Sequence, residues 1–193
     1  MISTSTLAIL GYGLCTTLHS CYADRYNTFR ALTKPLLMPM LLVFYSLTGG
    51  DSPWLYGALL FAWLGDIALL KHSKAFFMLG LVSFLLGHLC MSSQLFSLLS
   101  TQLSATLVGT VIVIMLGLAL GLFNILRPHL GELKLPVLVY CLVLAGKGSL
   151  ALLLAWQMQT WPSIMVAAGA LIFMASDLTL AQGMMVFGLS SLS

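Results

Sequence analysis

The stretch from Gln102 to Leu126 reads QLSATLVGTVIVIMLGLALGLFNIL, an unbroken run without a charge. A hydrocarbon core about 30 Å thick is crossed by about 20 residues at 1.5 Å each, so this segment alone can span a bilayer as a helix. Its neighbours behave in the same way. Polar breaks separate further apolar segments at about Ser5 to Tyr22, Pro35 to Leu47, Trp54 to Leu70, Ala75 to Leu99, Leu135 to Trp156 and Trp161 to Ala181. None alternates with the period of two that a barrel strand needs, and lipid satisfies no open backbone group, so all are expected to be helices. Pro35 to Leu47 is short. It is expected either to extend back through Phe29 to Thr33 or to kink at Pro39.

Composition agrees with that reading. Of 193 residues, 60% are apolar and only 7% are charged, with a mean hydropathy of +1.06. Soluble domains carry about 25% charged residues, which excludes an ordinary soluble fold. With short loops each span takes roughly 27 residues, so the length accommodates about seven spans and no separate soluble domain. The expected architecture is a single all-α, polytopic transmembrane bundle over residues 1–193. Four cysteines, Cys15, Cys21, Cys90 and Cys141, fall in or beside apolar runs without a CxxC pair. They read as small buried hydrophobes. The first stretch has no basic n-region and no A-x-A site before Tyr22, so it reads as a span and not as a cleavable leader.

The net charge of +3 does not make a nucleic-acid binder, because the cations form no basic stripe. They mark orientation. Arg25, Arg30 and Lys34, Lys71 and Lys74, and Arg127 and Lys134 all fall on one side of the predicted bundle. The positive-inside rule makes that side cytoplasmic and puts the N-terminus outside. Compactness and the lack of targeting signals suggest a bacterial inner membrane. Gly80 and Gly87 share a face of their predicted helix, and Gly117 to Gly121 form a GxxxG. Both patterns suit close helix packing, and the GxxxG also suits a homodimer. None is a phosphate loop, since no strand precedes it and no Lys-Ser/Thr follows.

Ionisable groups in hydrocarbon are costly, which singles out Asp66, His88, Lys147 and Asp177. Gly57-Ala58-Leu59-Leu60-Phe61 precedes Asp66, and Gly169-Ala170-Leu171-Ile172-Phe173 precedes Asp177, with nine and eight residues from glycine to aspartate. The two runs look like one motif used twice. The helical rise from glycine to aspartate is about 13.5 Å in one and about 12 Å in the other, which sets both carboxyls at similar depth in parallel spans. Two carboxyls in a low dielectric favour one protonated and one ionised, the arrangement that general acid and base chemistry needs. The alternative is that each aspartate only caps or bonds a neighbouring helix.

The other candidates have two readings each. His88 can orient a water, complete a metal site with the aspartates, or bond a backbone carbonyl; three ligands without paired helical spacing make no convincing zinc site. Lys147, between Gly146 and Gly148, can act as a counter-ion for Asp66 or Asp177, snorkel to the interface, or carry a Schiff base. Lys34, at the mouth of the Pro35 segment, can anchor at the interface or hold a lipid phosphate. The expected site is therefore Asp66 and Asp177 as catalytic residues, with Lys34, His88 and Lys147 binding substrate and no cofactor or metal.

Four blocks carry a family resemblance: Lys34-Pro35-Leu36-Leu37-Met38-Pro39; Phe61 through Gly65-Asp66; Phe77-Met78-Leu79-Gly80-Leu81 through Phe84 to Gly87-His88; and Gly169 to Phe173 through Ser176-Asp177-Leu178. In this order they resemble the YhhN, or lysoplasmalogenase-like, family over Lys34 to about Phe187. The resemblance implies hydrolysis of the vinyl-ether bond of a lysoplasmalogen, a lysophospholipid of the membrane, to a fatty aldehyde and glycerophosphocholine or glycerophosphoethanolamine. It also implies that Asp66 and Asp177 are essential. The sequence departs from the family pattern in having Cys90-Met91 where an aromatic follows Gly-His, and in carrying Lys147. An eighth span is implied after the second aspartate motif, where this sequence has Gly188 to Ser193. The competing readings are a proton-coupled transporter using the same ionisable groups and a non-catalytic lipid-binding protein.

Overall fold

The computed structural model of the chain describes residues 27–71, 73–100 and 102–187. The predicted span Ser5 to Tyr22, Arg25 and the tail Gly188 to Ser193 lie outside the described residues. Six α-helices follow one another: α1 (Asn27–Leu47), α2 (Pro53–Ala68), α3 (Lys74–Leu98), α4 (Ala105–Leu126), α5 (Lys134–Met158) and α6 (Trp161–Phe187). Short 3-10 turns at Arg127–His129 and Gly131–Leu133 join α4 to α5. Lys74–Leu98, Ala105–Leu126 and Gly131–Met158 are long and apolar enough to cross a membrane. The protein is an all-α membrane protein, and the six helices answer to six of the seven predicted spans. By contact the chain divides into two compact units, Met1–Cys90 and Met91–Ser193.

In the first unit α1 does extend back beyond Pro35, with Pro35 and Pro39 both inside it. Proline at 39 has no N–H to give the Pro35 carbonyl four residues earlier. The Trp63 indole Nε1–H of α2 donates to that carbonyl instead, at 2.7 Å. In lipid, where no water replaces a lost bond, this repair is what makes an interior proline tolerable.

The α1–α2 connection is built from local signals. Gly49, at φ +81°, takes the left-handed conformation that ends α1. Its N–H donates to the Ser46 carbonyl at 3.2 Å and the Gly50 N–H to the Tyr45 carbonyl at 2.9 Å. Ser52 then caps α2, accepting from the Leu55 N–H, with Pro53 in the first turn. Tyr45 and Tyr56 meet edge to face, 5.2 Å between centroids. The Tyr45 hydroxyl accepts from the Ser52 N–H at 3.0 Å, and the Tyr56 hydroxyl donates to the Gly50 carbonyl at 3.0 Å.

Helices α2 and α3 pack antiparallel through glycine. A methyl group on Gly57 would lie 3.1 Å from Cys90 Sγ, on Gly65 2.8 Å from the Phe84 ring, and on Gly87 3.2 Å from the Ala58 carbonyl oxygen. Gly80 lies equally close to Leu69. The predicted packing role of Gly80 and Gly87 is therefore realised.

In the second unit α5 is the central helix. Within its most apolar window 61% of residues are buried, against 11% for α4. Tyr140, Leu144, Lys147, Ala151 and Leu154 are buried at helical spacing along one face. Ala151 and Leu154 form a core with Leu95 and Ala167. Gly148 admits α4, since a methyl group there would lie 3.0 Å from Met115 Sδ. By contrast, nothing lies within 4 Å of a methyl group on Gly117 or Gly121. The GxxxG makes no close helix contact among the described residues. Helix α5 ends at Gln159, whose φ of 49° turns the chain and whose N–H donates to the Ala155 carbonyl.

Candidate functional site

Asp66 lies half-buried in the last turn of α2. The residue before it is Gly65, covered by the Phe84 ring of α3, and three residues before it is Trp63. Because Trp63 donates to the Pro35 carbonyl, the turn of α2 that carries Asp66 is tied to the turn of α1 that carries Lys34. His88 is buried, 7% exposed, one helical turn beyond Phe84 on α3. The first unit thus places Lys34, Asp66 and His88 on three adjoining helices. Lys71, beyond the end of α2, sets its ammonium 4.5 Å from the centroid of the Phe76 ring.

In the second unit Lys147 is buried, 6% exposed, midway along α5. Its Nζ stands 4.5 Å from the centroid of the Phe173 ring of α6. Asp177 follows Phe173 by four residues in the same helix. The second aspartate motif therefore runs past a buried cation. Its glycine, Gly169, has open space where a side chain would begin.

Two contributors escaped the sequence reading. Trp63 and Phe173 both fall inside the motifs, but as aromatics in apolar runs they carried no sign of a polar partner. The signal for Trp63 was present in Pro39, which obliges some donor to reach the Pro35 carbonyl. Among the described residues no three His, Cys, Asp or Glu side chains gather as a metal site. Neither Cys90 nor Cys141 forms a disulfide among the described residues.

Two relatives, proteins of Mycobacterium bovis and Mycobacterium tuberculosis each named lysoplasmalogenase, are 34% identical to the chain over 149 residues. The alignment covers 75% of this chain and 55% of each relative, so the chain spans little more than half the length of the relatives it matches. No solved structure matches it. The model of the YhhN family matches residues 29–193, a stretch that holds both aspartate motifs together with Lys34, His88 and Lys147, and the chain belongs to that family.

Proposed function

We propose that the protein is a lysoplasmalogenase-type hydrolase that cleaves the vinyl-ether bond of a lysoplasmalogen. What carries this reading is the family match, whose range includes both aspartate motifs, together with the name borne by the two mycobacterial relatives. The residue chemistry supports it. One protonated aspartate delivers its proton to the β-carbon of the vinyl ether, leaving an oxocarbenium ion at the α-carbon. The ionised partner stabilises that cation and then takes a proton from the attacking water, much as paired carboxyls act on glycosides. The resulting hemiacetal collapses to the fatty aldehyde and the glycerophospho-alcohol. In this reading Lys34, beside the basic face taken as cytoplasmic, holds the lipid phosphate, and His88 orients the water.

The test is aldehyde release by the purified protein in lipid nanodiscs. A lysoplasmalogen is expected to be cleaved, with water oxygen appearing in the aldehyde, and the saturated alkyl-ether analogue is expected to be inert because it has no alkene to protonate. Asp66→Asn and Asp177→Asn are each expected to lower kcat by about 1,000-fold or more while the protein stays folded. Full activity in either variant would overturn the paired-carboxyl mechanism. Proton-dependent solute flux without aldehyde would favour a transporter instead.

A further inference from the structure

We infer that Lys71 and Lys74, in the turn between α2 and α3, seat the phosphate of a single-chain phospholipid, so that its ether linkage meets Asp66 while the lipid stays in its own leaflet. The phosphate seat rests on the first unit alone; the ether at Asp66 rests on the hydrolase reading above. Both lysines are exposed. The Lys71 ammonium is held 4.5 Å from the centroid of the half-buried Phe76 ring. A ring face engages one side of an ammonium and leaves N–H donors on the other side for an anion. Membrane orientation alone asks only for charge at this position. Among the described residues Arg127 and Lys134, which the sequence assigns to the same side of the membrane, are held against no ring.

The turn that carries the lysines is closed by its own bonds. The chain leaves α2 still wound, with the Leu69 N–H on the Gly65 carbonyl at 3.0 Å, Leu70 on Ile67 at 3.2 Å and Lys71 on Ala68 at 3.2 Å. The Ser73 N–H then donates to the Lys71 carbonyl at 3.1 Å, and Ser73 Oγ accepts from the Phe76 N–H at 3.3 Å. Gly80 brings the start of α3 against the end of α2, since a methyl group there would lie 3.0 Å from Leu69. Lysine, ring and Asp66 therefore keep a fixed spacing. Five residues of α-helical and 3-10 winding separate Asp66 from Lys71, about 8 Å along the axis. In a lysolipid with a vinyl ether on its terminal glycerol carbon, six or seven bonds separate the phosphorus from the vinyl carbons, about 7–8 Å when extended. The two lengths agree, so a phosphate at Lys71 sets the alkene at the level of Asp66. Leu64 and Ile67, on either side of Asp66 in the sequence, are 41% and 38% exposed, which leaves α2 open to lipid at that level.

The test is binding of a radiolabelled 1-alkyl lysophosphocholine, which cannot be hydrolysed, to the protein in nanodiscs of diacyl phosphatidylcholine, with empty discs as the blank. Saturable binding is expected, and Lys71→Gln combined with Lys74→Gln is expected to raise Kd about 10-fold, with recovery when both lysines are arginine. Unlabelled 1-alkylglycerol, which has the chain and no phosphate, is expected to compete equally in wild type and in the double variant. An unchanged Kd overturns the inference, and so does an equal weakening of alkylglycerol, which would mean damaged structure. No saturable binding to wild type also overturns it, because bulk headgroups would then fill the seat as well as a lysolipid does. Phe76→Leu is expected to raise Kd about threefold alone and to add nothing in the Lys71→Gln background; additive effects overturn the positioning role of the ring. In aldehyde release the double variant is expected to raise KM about 10-fold with kcat within about twofold of wild type. The binding arm needs no hydrolysis, so it stands if the hydrolase reading fails. Aldehyde release with a wild-type KM in the double variant upholds that reading and overturns this one.

Discussion

Gly57 and Gly169 begin the same Gly-Ala-Leu-aliphatic-Phe run, yet a methyl group on Gly57 would sit 3.1 Å from Cys90 Sγ while one on Gly169 would meet nothing within 4 Å. The difference continues along each helix. Toward Asp66, α2 is pressed against α3 at Gly65 and tied to α1 by Trp63. Toward Asp177, α6 meets its neighbour through an aromatic ring under a buried ammonium. The first unit holds the helix of its aspartate by steric closeness and backbone repair, whereas the helix of the second carries a ring against a buried ammonium. A motif repeated in the sequence is therefore not a packing repeated in the fold, and substitutions at matching positions should have unequal effects.

The largest inequality is expected at the glycines of the α2–α3 seam. In Gly65→Ala the new methyl group meets the Phe84 ring at 2.8 Å, and in Gly87→Ala it meets a backbone carbonyl oxygen at 3.2 Å. A ring can turn aside at some cost, whereas a carbonyl within a helix moves only with the helix. Overpacking of this kind costs about 1–3 kcal/mol, so both variants should show a clear fall in unfolding temperature. Gly87→Ala should also displace His88, its neighbour, and lower activity beyond what its stability loss explains. Wild-type unfolding in both would show that the seam is looser than the geometry indicates.

A smaller effect is expected at Trp63. Trp63→Phe keeps most of the aromatic volume but removes the donor, leaving the Pro35 carbonyl without the bond that Pro39 cannot supply. An unsatisfied buried acceptor costs about 1–3 kcal/mol in proteins, and the lower part of that range applies if lipid-face water reaches it. The informative comparison is the double variant with Pro39→Ala. Restoring an N–H at residue 39 restores the helical bond to residue 35, so Pro39→Ala should rescue much of the Trp63→Phe loss. No rescue would mean that the indole matters for its bulk alone.

These cases show which parts of the molecule were legible in its sequence. Helices were readable because lipid leaves the backbone almost no other choice. The α1–α2 connection was readable because Gly49, Gly50, Ser52 and Pro53 act through local geometry. Gly80 and Gly87 pointed to a packed face, and that face is packed. The GxxxG at Gly117 was equally plain as a pattern, but a pattern on one helix does not say whether another helix lies opposite. The Lys147–Phe173 contact depends on the register between α5 and α6, which the turn at Gln159 sets. No local spacing encodes such a register, so the sequence singled out Lys147 without pairing it to Phe173.

The smallest effect is expected where the second motif is open, and its smallness is the informative part. Gly169→Ala and Gly121→Ala add a methyl group into space where nothing lies within 4 Å. In water a helical Gly→Ala change gains about 0.5–1 kcal/mol by removing backbone freedom from the unfolded chain. In lipid the helix persists even when tertiary contacts are lost, so that gain largely disappears. Both variants should therefore unfold within about 0.5 kcal/mol of wild type, as measured by detergent-induced unfolding, against the clear loss at Gly65 and Gly87. A large loss in Gly121→Ala at high protein density, absent on dilution into excess lipid, would instead mean that the open GxxxG face is closed by a second copy of the chain. The same loss in Gly169→Ala, unchanged by dilution, would mean that the second motif is packed as tightly as the first, and the contrast between the two units would not hold.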